Sequence, residues 1–245
     1  MPLIPEPLLR RLPSAPGIVF ACEPCPVDAA SAHLRDLLGA LCLLHRAGVA
    51  HFDIQPDNVR LGADGRAVLC DLGNFKRFSL PTQHGSQPSS GAAVQPGPLV
   101  AGPYGSKAFS PPESFAGAFS PAAADIWALG VLACTALTGH LPFAPPPAAT
   151  AAGAAGGDTG GGGAAEHLVS EVQAGRVRIP ESVLLLRAAP AAAEGGAPSP
   201  TPMPAALGAL LRGMLDVDPA RRLTAEQALG HAWWTDDGSG GGVAA

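Results

Sequence analysis

From Ala32 to Arg46 the apolar positions Leu34, Leu37, Leu38, Leu41 and Leu44 recur at three- and four-residue intervals among polar neighbours. That period is one face of an α-helix, so an amphipathic helix is expected, with Ser31 or Asp28 as its cap and Gly48 as its stop. Val59 to Leu61 and Ala67 to Leu69 are short apolar runs joined through Gly62-Ala63-Asp64-Gly65, a hairpin signal. Further helices are expected over Ala124 to Thr138, Glu166 to Ala174, Ala205 to Leu215 and Thr224 to His231. Gly17 to Glu23 reads as a short apolar strand entering a connector.

Composition changes this picture in one respect. Hydrophobic residues make up 47% of the chain, but much of that is alanine in tracts that also hold glycine and proline. The tracts are Ser79 to Pro103, Ala144 to Ala165 and Ala188 to Ala205. Such chain cannot bury enough apolar surface to offset its conformational entropy, so all three are expected to be disordered loops inserted between folded elements. Closure entropy grows only logarithmically with loop length, and one domain can tolerate the insertions. At 245 residues a single domain is the default.

The net charge of −5 offers no basic stripe for nucleic acid or an anionic membrane, and neither partner is expected. The most apolar window, around Trp127 to Leu137, is too short to span a bilayer, which points to an intracellular chain, cytoplasmic or nuclear. Five cysteines, at 22, 25, 42, 70 and 134, are odd in number and scattered, unlike a secreted disulfide framework. Cys22-Glu23-Pro24-Cys25 spells CxxC but lacks a second pair or a nearby histidine, so a plain connector is the better reading. The histidines at 33, 45, 84, 140, 167 and 231 show no ligand spacing, and no metal is assigned to them.

The chemistry is concentrated in His51-Phe52-Asp53-Ile54-Gln55-Pro56-Asp57-Asn58, followed after the hairpin by Asp71-Leu72-Gly73. The hairpin would return Asp71 to a site formed by Asp53 and Asn58. The set resembles the catalytic machinery of a protein kinase. Phosphoryl transfer is run by positioning and charge neutralisation, and the resemblance implies Asp53 as the base that orients the attacking hydroxyl, with Asn58 and Asp71 as Mg²⁺ ligands. Gly105-Ser106-Lys107-Ala108-Phe109-Ser110-Pro111-Pro112-Glu113 resembles the end of the kinase activation segment, with Ser106 in the substrate-facing loop. Asp125-Ile126-Trp127-Ala128-Leu129-Gly130 resembles the buried helix whose leading aspartate holds the catalytic loop, here the turn at His51. Thr138 to Phe143 and Asp218 to Ala225 also match family segments, and Arg222 is expected to pair with Glu113.

An ordinary kinase domain opens with a Gly-rich strand-turn-strand and a strand lysine. Here the only lysines, Lys76 and Lys107, follow the catalytic loop, and the glycines before His51 (Gly17, Gly39 and Gly48) cannot form GxGxxG. The chain is therefore expected to begin almost at the hinge. The implied fold is α+β and mostly α: a protein-kinase-like C-terminal lobe with a small β-hairpin at the cleft. Its expected limits are residues 17–235, between an N-terminal tail (1–16) and a Gly-rich tail (236–245). The missing lobe would come from upstream sequence or from another chain.

The resemblance implies ATP and Mg²⁺, a protein substrate and transfer to serine or threonine. It is closest, in Arg178-Ile179-Pro180 and in Asp218 to Trp234, to the calmodulin-dependent kinase group. Several departures oppose activity. Phe52 stands where many kinases have an arginine that receives the activation-loop phosphate. Gln55 replaces the lysine that contacts the transferred phosphate, and losing one such donor costs on the order of 10²–10³ in rate. Leu72 in place of phenylalanine is milder. Weak or absent ATP binding is expected, and the main rival reading is a pseudokinase-like interaction module. A small-molecule phosphotransferase fits less well, because Pro111-Pro112-Glu113 and Asp125 to Gly130 resemble segments such enzymes lack.

Overall fold

The computed structural model describes residues 6–9, 22–78, 99–102, 105–143, 162–184 and 200–235. Helix α1 (Val27–Arg46) buries Val27, Ala30, Leu34, Leu37, Leu38, Leu41 and Cys42. It starts five residues before the expected Ala32, directly after Pro26, with no side-chain cap. Neither Ser31 nor Asp28 caps it: Val27 and Ala30 continue the leucine stripe one turn back, and Asp28 lies in the first turn, where a carboxylate favours the helix dipole. Gly48 follows the helix at φ 69, a conformation that glycine adopts without penalty.

Helix α2 (Pro121–Thr138) is buried on nearly every side, as a helix without a polar face must be. Ser120 caps it by accepting a hydrogen bond from Ala123 N, and Gly139 ends it at φ 80. The apolar segment is longer than the window from Trp127 to Leu137 had suggested. Its 18 residues, with a mean hydropathy of 1.4, would suffice in length and composition to cross a bilayer, but 83% of that window is buried inside the protein. Helices α3 (Gly162–Gln173), α4 (Ala205–Met214) and α5 (Ala225–Leu229) complete the set; α1 packs on α2 and α5, and α2 on α4. Thr224 and Gln227 close a reciprocal capping box on α5.

The β structure is short and local. Strands β1 (Glu6–Pro7), β3 (Val59–Leu61) and β4 (Ala67–Leu69) form one antiparallel sheet in the order β1-β3-β4. Strand β2 (Val49–Ala50) pairs with β5 (Lys76–Arg77), β6 (Val100–Ala101) with β7 (Ala118–Phe119), and β8 (Ser182–Leu184) with β9 (Pro200–Pro202). The expected hairpin is present, and β1 adds a third strand to it.

Four sequence expectations are corrected by these elements. The N-terminal tail contributes β1 and the buried Leu9. The three expected inserts are shorter than composition suggested: β6 lies inside 79–103, α3 begins inside 144–165, and β9 lies inside 188–205. Each of the strands is stabilised by a partner outside its own stretch, which the composition of that stretch cannot reveal. Residues 79–98, 103, 144–161 and 188–199 of the inserts, Gly17 to Ala21 and the tail 236–245 lie outside the described residues. The connector that follows is tied along the end of α2, since Cys22 N donates to Gly139 O and Cys25 N to Ala136 O.

Arg222 holds the helical half to the activation segment. Its guanidinium is buried, donating to Glu113 Oε1 at 2.6 Å and Oε2 at 3.0 Å, to Ala123 O and to Asp216 O, while it lies 5.0 Å from the ring centre of Trp127. Removing one side of a buried pair strands the other charge in a medium that solvates it poorly. Arg222→Ala is therefore expected to lower unfolding free energy by about 3–5 kcal/mol, read as a shift of the urea midpoint.

Candidate active site

The loop from His51 to Asn58 is bracketed by two short ladders. Strand β2 enters it and β3 leaves it, while β4 and β5 bracket the turn carrying Asp71; pairing β2 with β5 and β3 with β4 faces the two loops toward each other. Cys70 N donates to Asn58 O at 2.8 Å, extending the β3–β4 ladder to the candidate residues.

Asp125, at the start of α2, anchors the first loop from below. It is 1% exposed, and its Oδ2 and Oδ1 each accept a 2.8 Å bond, from His51 N and Phe52 N respectively. His45 Nε2 also donates to Oδ2 at 2.9 Å. A buried carboxylate must find such donors. Phe52 takes φ 67, which is costly for a bulky residue, and the two bonds at the turn offset that strain. His51 is fully buried; its Nε2 donates to Cys70 O at 3.0 Å, so Nδ1 is the acceptor that meets Asp53 N at 3.4 Å.

Asp53 leaves this turn half-buried. Gln55 Nε2 donates to its Oδ1 at 3.1 Å, Asn58 Nδ2 to its Oδ2 at 3.0 Å, and Asn74 Nδ2 to the same Oδ2 at 3.1 Å. Asn58 Nδ2 also reaches Asp53 O at 2.8 Å, which spends both amide hydrogens and leaves its Oδ1 as an acceptor. Gly105, at φ 63, lies against the carboxylate so closely that a Cβ would overlap Asp53 Oδ1. Ser106 beside it is half-buried and shares a small cavity with Asp53, Ile54 and Phe109.

Asp71 is exposed and adopts φ 63, tolerable for aspartate, and its Oδ1 accepts from Gly73 N at 3.0 Å to cap a one-turn 3₁₀ helix over Leu72–Asn74. Its other oxygen makes no hydrogen bond among the described residues. A free carboxylate oxygen and an amide oxygen are hard donors of the kind Mg²⁺ takes, with phosphate or water completing its shell. Asn58 and Asp71 therefore fit the ion that the motif implies.

Phe52 stacks on Phe119 at 5.8 Å, with Ala124 and Val100 beside the pair, and Lys76 Nζ lies 5.6 Å from the centre of the Phe52 ring. The position that many kinases give to arginine is here part of an apolar contact between the catalytic loop and the activation segment. At the CxxC pair, burial, with Cys25 and Glu23 adding to it, pushes the Cys22 thiol up to about 11, and burial also raises Cys25. Both stay protonated at neutral pH, which suits a packed connector.

Two contacts escaped the sequence reading. His45 belongs to no ligand pattern, and its bond to Asp125 spans 80 positions. Asn74 stands outside every motif, and nothing in the spacing signals its reach to Asp53. Asp125→Asn would leave one backbone N–H facing an amide nitrogen in a site closed to water. The expected loss is about 1.5–3 kcal/mol, seen as a lower melting temperature.

Comparison with known proteins supplies the family. Residues 21–234 match the protein kinase domain family. The serine/threonine-protein kinase PknL of Mycobacterium tuberculosis (strain ATCC 25618 / H37Rv) is 32% identical over 120 residues, covering 49% of this chain and 27% of that protein. The Xenopus laevis serine/threonine-protein kinase stk11 is 29% identical over 211 residues, 85% of this chain and 37% of that protein. The serine/threonine-protein kinase kin-29 of Caenorhabditis briggsae is 26% identical over 207 residues, 84% of this chain and 19% of that protein. The chain thus spans well under half the length of these curated relatives. With most of its length matched and the matched loops converging on Asp53, the chain belongs to the protein kinase domain family.

Proposed function

We propose that this chain is the catalytic lobe of a serine/threonine protein kinase, transferring the terminal phosphoryl group of ATP to a protein hydroxyl. The observation that carries the reading is the joining of Asp53 to Asn58 by two hydrogen bonds, with Asn74, three residues after Asp71, bonded to the same carboxylate. Asp53 would orient the acceptor hydroxyl and take its proton. Mg²⁺, when bound, would neutralise charge on the phosphates, and Asn58 Oδ1 and Asp71 would hold it. Ser106, next to Gly105, would face the substrate.

The cover over the phosphates and a strand lysine would come from upstream sequence or from another chain, and the location we propose is inside the cell. Within the family, the stretches Arg178-Ile179-Pro180 and Asp218 to Trp234 favour a calmodulin-dependent-kinase-like grouping.

A second reading, an interaction module without chemistry, is favoured by Gln55. Its neutral amide sits 3.1 Å from Asp53 Oδ1, where a transition state rich in negative oxygen calls for a cation.

The test is transfer of radiolabelled phosphate from Mg²⁺-ATP to a generic serine/threonine protein. The 245-residue chain alone is expected to work near background, and the product of the complete transcript to transfer phosphate in a manner lost with Asp53→Asn and with Asp71→Asn. Transfer by neither would leave the interaction module. Gln55→Lys in the chain alone is expected to restore nothing, since unpositioned ATP forfeits the several kcal/mol that orientation supplies. Robust transfer by the chain alone, abolished in Asp71→Asn, would mean that another of its segments clamps the phosphates.

A further inference from the structure

The carboxylate of Asp53 can be accounted for site by site. An ionised carboxylate offers about four lone-pair positions, two on each oxygen. Gln55 fills one on Oδ1, while Asn58 and Asn74 fill both on Oδ2. Among the described residues, the position left over is on Oδ1, and this is the oxygen that Gly105 adjoins. A side chain at residue 105 would overlap that oxygen, so the backbone can come this close only because the residue is glycine.

Asn74 is the component that the motifs do not contain. It ends the one-turn helix that Asp71 caps, so one short element carries the candidate metal carboxylate at its start and a bond to the candidate base at its end. Without Asn74, Oδ2 would keep an open lone pair, and the carboxylate would have less to oppose rotation. The restraint comes from neutral amides. These bond more weakly than an ammonium or guanidinium group and cancel no charge.

We propose that Asn74 is a positioning residue for Asp53: it closes Oδ2, leaves the lone pair of Oδ1 that is open among the described residues to face the small cavity shared with Ser106, and couples that orientation to the Asp71 turn. The identity of the incoming group, a protein hydroxyl, rests on the phosphotransfer reading; the hold on the carboxylate does not.

The experiment uses the isotopically labelled 245-residue chain in solution. The side-chain amide signals of Asn74 are expected to shift in Asp53→Ala. The Asp53 side-chain couplings are expected to report one rotamer in the unmodified chain, averaging in Asn74→Ala and at least partial recovery in Asn74→Gln. The melting temperature should stay unchanged in Asn74→Ala, because Asn74 is exposed and supports no core contact. Asn74 signals indifferent to Asp53→Ala, or an Asp53 rotamer indifferent to Asn74→Ala, would overturn the proposal. In a preparation that transfers phosphate, Asn74→Ala should lower kcat about fivefold with KM for ATP unchanged, the loss of one neutral hydrogen bond. An unchanged kcat would overturn the role in transfer. If no preparation transfers phosphate while the Asn74 signals still follow Asp53, the kinase reading falls and the hold on the carboxylate stands.

Discussion

The buried carboxylate of Asp125 is the interaction on which the site depends. It lies at the head of the central helix and accepts from two successive backbone amides of a turn that a phenylalanine would otherwise avoid. An acceptor of this kind is strong because it is charged and shielded from water, and the helix beneath it is rigid because it is packed on nearly every side. Position therefore passes from the core to Asp53 through a few covalent bonds and two hydrogen bonds. His45, reaching in from α1, ties a second helix to the same oxygen.

Two further ties hold the helices and loops of the domain together. The Arg222–Glu113 pair joins chain on either side of α2 and caps the Trp127 ring, so the activation segment and the C-terminal helices share one anchor. At the front, the Phe52–Phe119 stack, with Val100 beside it, holds the activation segment to the catalytic loop by apolar contact, and the β6–β7 ladder ties two parts of that segment together. A contact of this kind is made without any added phosphate. It agrees chemically with a loop in which glutamine and asparagine amides surround the central carboxylate.

The neutrality of that surround bears on both functional readings. Three neutral amides hold Asp53 without bringing any charge of their own. The same neutrality withholds the positive potential that a transferring phosphoryl group would need. In the phosphotransfer reading, Mg²⁺ would bring the charge that these amides do not.

Local sequence was sufficient for elements whose stability is local. The leucine stripe of α1, the Gly-containing turn between β3 and β4, and the apolar run of α2 each declare themselves within a short window, because helix and strand periodicities repeat over a few residues. Motif spacing likewise brought Asp53, Asn58, Asp71, Glu113, Asp125 and Arg222 into view, since the chemistry and its supports need those groups in a set order. What the sequence could not decide was anything held by a distant partner. Strands β1, β6 and β9 were hidden in stretches that composition described as tail or loop, and they exist through pairing with segments outside those stretches. His45 on Asp125, Asn74 on Asp53 and the close approach of Gly105 carry no periodic signal either. Such contacts arise only when packing has brought separate elements together, and only the tertiary structure could decide which side chains would meet there.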